Sequence, residues 1–84
     1  TNAKAHYNLG YWLYNQGEIE PAITAYRTAT QLNPFEADTY YNLSLLLRSQ
    51  NAPTETDLTE ANVMMNQAIL LNPDYALQIK PASF

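Results

Sequence analysis

Two stretches of this chain are variants of one sentence. "AITAYRTATQLNP", Ala22 to Pro34, returns as "ANVMMNQAILLNP", Ala61 to Pro73, with two Ala, a Leu, an Asn and a Pro in the same places, all at the single offset that separates Ala22 from Ala61. The segment before it recurs at a shorter offset: Tyr7, Asn8, Leu9 and Leu13 become Tyr41, Asn42, Leu43 and Leu47. The offset grows by five between Gln50 and Ala61, and "NAPTE", Asn51 to Glu55, has the Pro and the polar residues of an inserted loop. The unit is therefore as long as the step from Tyr7 to Tyr41. It is written once over 3–36 and again over 37–75 with a loop at 51–55, and a stub follows at 76–84, all in one domain of 84 residues. Self-similarity at such a period marks a stack of small units, none of which buries its apolar face alone.

Each unit divides into two amphipathic helices. In the first unit His6, Leu9, Gly10 and Leu13 form one apolar stripe, and Ile19, Ala22, Ile23, Tyr26, Ala29 and Thr30 form the other. Gly17 stops the first helix, and Pro21 falls in the first turn of the second, where its missing N–H costs nothing. Pro34 ends that helix by restricting the residue before it. In the second unit the stripes are Tyr40, Leu43, Ser44 and Leu47, then Leu58, Ala61, Met65, Ala68 and Ile69. Asp57 with Glu60 has the spacing of a capping box. Glu18 and Glu20 open the second helix, where negative charge favours the positive end of the helix dipole.

The order aromatic, Leu-Gly, apolar, turn Gly, Ala, aromatic, Ala, Pro resembles the tetratricopeptide repeat. The first copy supplies His6, Leu9-Gly10, Leu13, Gly17, Ala22, Tyr26, Ala29 and Pro34. The second supplies Tyr40, Leu43-Ser44, Leu47, Ala61, Met65, Ala68 and Pro73. It departs from the pattern at Ser44, at Met65, at Asn62 in the place of Ile23, and in its longer loop. The resemblance implies an all-α fold of helix-turn-helix repeats stacked as a short right-handed α-solenoid. After Pro73, "DYALQIK" reads as the start of a third unit that Pro81 cuts short.

Composition removes several classes of function. A net charge of −4 with only four Lys and Arg lacks the clustered positive charge that nucleic acid or an anionic membrane surface requires. No apolar run approaches the length of a membrane span. With no cysteine there is neither a disulfide nor a thiolate metal site. The start lacks an initiator Met and a signal-peptide pattern, so it reads as the edge of a piece of a longer protein, with a cytoplasmic home as the default. The single histidine, His6, lies on a packing stripe, and nothing near it has the spacing of a nucleophile with its base or of a metal-ligand set. "NLS" at Asn42 matches a glycosylation sequon but falls inside a packed helix. No enzyme, metal or cofactor is expected.

What remains is recognition of a protein or peptide partner. Lys4, Tyr7, Asn8, Tyr11 and Asn15 share a face of the first helix away from its packing stripe, with Tyr14 beside them. Asp38, Tyr41, Asn42, Leu45 and Arg48 are the matching set on the third helix, with Ser49. By resemblance these faces line a concave groove that takes an extended peptide, and Asn8 and Asn42 each offer a donor and an acceptor to its backbone. The family's carboxylate clamp for chaperone tails wants Lys and Asn where this chain has Tyr7 and Tyr11, which argues against that ligand. The rival reading is self-association into homo-oligomers through uncovered repeat edges. Trp12 stands at one edge; Ile69, Leu70, Leu77 and Ile79 stand at the other.

Overall fold

The computed structural model describes residues 2–78 as four helices and a short closing segment. These are α1 (Asn2–Asn15), α2 (Ile19–Leu32), α3 (Ala37–Ser49), α4 (Glu55–Leu71) and a closing 3-10 segment (Pro73–Gln78). No strand occurs among the described residues. Helix α1 packs on α2 and α3 on α4, giving two hairpins; α2 packs on α3, which joins them, and α4 carries the closing segment. Ile79, expected at the far edge, lies outside the described residues, as does Pro81.

The first hairpin turns at Gly17, whose φ of 81° is left-handed and open to glycine without strain. The repeated Asn-Pro has a local cause. The Asn33 N–H donates to the Ala29 carbonyl at 2.9 Å and its Oδ1 accepts from the Phe35 N–H at 3.2 Å. Asn72 does the same with Ala68 at 2.8 Å and with Asp74 at 3.1 Å. One residue thus closes the helix with its backbone N–H and turns the chain with its side chain, and the proline beyond it prevents the helix from continuing.

The five inserted residues do not all enter the loop. Helix α3 ends at Ser49, in register with Asn15, but α4 already begins at Glu55. Two of the five lengthen the turn and three add nearly a full turn to the start of α4. The capping box also lies three residues earlier than the sequence suggests. The Thr54 hydroxyl accepts from the Asp57 N–H at 3.0 Å, and the Asp57 carboxylate accepts from the Thr54 N–H at 2.9 Å. Glu60 is used elsewhere: it takes two hydrogen bonds from Arg27 on α2, Nη2 to Oε1 at 2.6 Å and Nε to Oε2 at 3.0 Å.

The core is Ala22, Ile23 and Tyr26 of α2, Leu43, Leu46 and Leu47 of α3, and Ala61 of α4. Two expected core positions are exposed. Leu9 is 45% accessible and faces the outer edge of α1; Leu58 lies at the end of α4 away from the closing segment. In the first hairpin Gly10 lets α1 approach so closely that an added Cβ would stand 3.0 Å from the Tyr26 ring. The second hairpin has Ser44 and Met65 at the matching positions, and both are buried. Where the partner is a thin, adaptable methionine there is room for a Cβ. The two departures from the family pattern are one compensated change.

Candidate functional site

Helices α1 and α3 are the first helices of their hairpins, so they lie side by side with α2 behind them. The groove between them holds two cavities. The one nearer the helix N-termini, about 310 Å³, is lined by Lys4, Tyr7 and Asn8 of α1, Asp38 and Thr39 of α3, Glu36 and Asn33 before α3, and Ala3 and Ala29. The second, about 320 Å³, is bounded by Tyr11 and Tyr14 of α1 and by Asn42, Leu45, Leu46 and Ser49 of α3, with Tyr26 of α2 as its floor. The first is lined about equally by polar and apolar surface and carries two carboxylates and one ammonium. The second is mainly aromatic and aliphatic.

A hydrogen bond between the two cavities ties the walls together: the Asn42 amide donates to the Tyr7 hydroxyl at 2.9 Å. The Tyr7 ring in turn meets Tyr26 edge-on, with centroids 5.6 Å apart and planes at 60°. Burial, and then the nearby Asp38 carboxylate, push the Tyr7 hydroxyl above its ordinary value, while the Asn42 bond opposes them. Tyr7 therefore keeps its proton through the physiological range. Tyr26 is pushed up further, chiefly by burial and then by the neighbouring tyrosines.

Seven of the ten residues expected in the groove line these cavities: Lys4, Tyr7, Asn8 and Asp38 in the first, Tyr11, Asn42 and Leu45 in the second. Three are placed otherwise. Asn15 is exposed at the end of α1 and lines neither cavity. Arg48 turns toward α4 and donates through Nη2 to the Asn62 side-chain Oδ1 at 2.5 Å. Tyr41 stacks on Tyr75 of the closing segment, with centroids 4.4 Å apart and planes at 21°, and the Tyr75 hydroxyl donates to Asp38. Helical spacing does not reveal Glu36, Asn33 and Thr39. Their signal is topological, because the loop that starts a second hairpin must pass the open end of the groove. At the edges, Trp12, Leu70 and Leu77 are exposed and Ile69 is half-buried.

Among the described residues no group of three or more His, Asp or Glu is placed to hold a metal, and no helix is long and apolar enough to cross a membrane.

Comparison with known proteins agrees with this architecture. Residues 11–51 match the family model described as TPR repeat. The chain is 47% identical over 47 residues to Protein O-mannosyl-transferase TMTC1 of Homo sapiens, and 45% identical over 47 residues to the Mus musculus protein of that name. Each match takes in 56% of this chain and 5% of the relative. It is also 37% identical over 46 residues to an uncharacterized protein of Methanocaldococcus jannaschii, covering 55% of this chain and 54% of that one. The chain thus spans a small part of the first two relatives and about half of the third. With two hairpins in the repeat's register, a match that runs from α1 through α3, and helices packed in the order the repeat requires, residues 11–51 are matched as a tetratricopeptide repeat, a repeat that generally mediates protein–protein interaction.

Proposed function

We propose that this chain is a non-catalytic recognition module that binds an extended peptide segment along the groove between α1 and α3. The observation that carries this reading is the pair of adjoining cavities on one face, the one with charged groups toward the helix N-termini and the mainly apolar one beyond it. Their α1 residues are centred about seven residues apart, or about 10 Å along the helix. An extended strand advances about 3.3 Å per residue, so the two cavities take side chains about three positions apart. Tyr11, Tyr14 and Leu45 offer rigid or branched apolar surface that costs little entropy to fix, and the Asn8 amide offers both a donor and an acceptor. The transferase activity in the name of the longer relatives belongs to proteins of which this region is 5%, and no part of that activity is assigned to the groove.

Selection from a displayed library of random extended peptides tests the proposal. Peptides recovered on the wild-type chain should lose about tenfold in affinity on Tyr11→Ala or Leu45→Ala, the cost of truncating one anchor side chain. Both side chains are exposed, so the thermal melt should stay unchanged. Asn15→Ala should bind as wild type. Recovered peptides indifferent to both groove substitutions would sink the reading.

A further inference from the structure

On the reading that the groove between α1 and α3 binds an extended peptide, we propose that this peptide carries a basic side chain and a large apolar one about three positions apart. The basic group sits beside Glu36 and Asp38, and the apolar one against Tyr11, Tyr14 and Leu45. Both cavities are lined entirely by α1, α2, α3 and the turn between the last two. Charge decides what enters the first. Its lining sets two carboxylates, Glu36 and Asp38, against one ammonium, Lys4. Glu36 stands at the N-cap of α3, yet its side chain makes no capping bond, unlike Thr54 at the start of α4. Among the described residues the Glu36 carboxylate has no hydrogen-bond or ion-pair partner. Asp38 accepts from the Tyr75 hydroxyl, and Tyr75 is itself held by its stack on Tyr41. That carboxylate is therefore fixed in place with lone pairs left over for a further donor.

No other cation of α3 offsets them, because Arg48 is turned toward α4 and engaged by Asn62. The Tyr7 hydroxyl, between the two cavities, registers the result: burial raises it first, and the charges that raise it further are Asp38 and then Glu36. A peptide carboxylate would meet this field at the groove and a net charge of −4 on the way to it. A guanidinium or ammonium is drawn by both. The second cavity has no charged side chain in its lining. A charge seated there would lose water without gaining a partner, whereas an aromatic or branched side chain takes apolar surface out of water. The seating is thus fixed, basic in the first cavity and apolar in the second. The strand itself can run either way, so the basic residue stands before or after the apolar one.

The experiment is fluorescence anisotropy of labelled synthetic peptides, each a Ser/Thr background with one Phe and, about three positions to either side of it, Arg, Gln or Glu. In at least one of the two orders the Arg peptide should bind about fivefold tighter than the Gln peptide, and the Gln peptide about fivefold tighter than the Glu peptide. Glu36→Lys should invert the ranking of Arg and Glu. It should leave the circular dichroism unchanged, since the Glu36 side chain is exposed and caps nothing. Raising the salt from about 0.05 M to about 0.5 M should compress the ranking, because these charges face water. Equal binding of the Arg, Gln and Glu peptides overturns the proposal, as does a ranking that Glu36→Lys leaves unchanged. If such binding still falls on Tyr11→Ala, the groove remains the site and only its charge preference is wrong. Binding by no peptide of the series also overturns the proposal, and the groove reading falls with it only if library peptides are indifferent to Tyr11→Ala as well.

Discussion

At the scale of single residues, the two hairpins solve one packing problem in two ways. In the first, Gly10 gives up its side chain so that the Tyr26 ring can lie against the α1 backbone; in the second, Ser44 keeps a Cβ and the facing position holds Met65. The Ser44 hydroxyl stays satisfied inside the helix by donating to the Tyr41 carbonyl at 2.8 Å. Gly10→Ser should therefore destabilise the chain. The added Cβ meets a rigid ring, and overpacking of this kind costs about 1–3 kcal/mol, offset by less than about 1 kcal/mol of helix propensity. In a Tyr26→Met background the same substitution should cost little, since it copies the second hairpin's solution. A double-mutant cycle read by urea denaturation should give a coupling of about 1 kcal/mol or more. Additive effects would mean that the two positions are not in compensation.

At the scale of elements, the second hairpin differs from the first chiefly in how α4 begins. The extra turn exists because Thr54 and Asp57 satisfy each other's backbone N–H groups, and Thr54→Ala should cost about 0.5–2 kcal/mol. In a domain of this size that is a fall in Tm of several degrees. Asp57 supplies a pH test. Its carboxyl is held below the usual range, first by the Thr54 backbone N–H and then by the Thr54 side chain. A depressed carboxylate adds stability that is present above the unfolded pKa, about 3.9, and is lost as pH falls through the folded value. Asp57→Asn should thus melt below wild type at neutral pH, and the gap should narrow as the solution is taken below about pH 4. A gap that is constant with pH would show that the charge is not what the cap uses. The sequence points to a box at Asp57 and Glu60 because T-x-x-D and D-x-x-E overlap there, and spacing alone does not choose between them. The helices themselves are legible, since each apolar stripe appears twice in one register. Seven of the ten groove residues are legible for the same reason. Tyr41 and Arg48 are not, because Tyr75 and Asn62 claim them from elements that periodicity does not relate to α3.

At the scale of the whole molecule, stability resides where the hairpins meet. Leu9 and Leu43 are one residue type at one repeat position, and α2 lies over the second and not over the first. Periodicity assigns both to a packing stripe, and only the order of stacking separates them. Leu43→Ala removes a side chain of the fully buried core and leaves a cavity, at about 2–5 kcal/mol. A chain this small has only a few kcal/mol to lose, so the variant should be largely unfolded at room temperature. Leu9→Ala truncates a half-exposed side chain and should cost less than about 1 kcal/mol in the monomer. Urea melts measure both. Equal costs at the two positions would mean that the hairpins are stable singly and that the α2–α3 contact contributes little. Unequal costs make that contact the unit of folding.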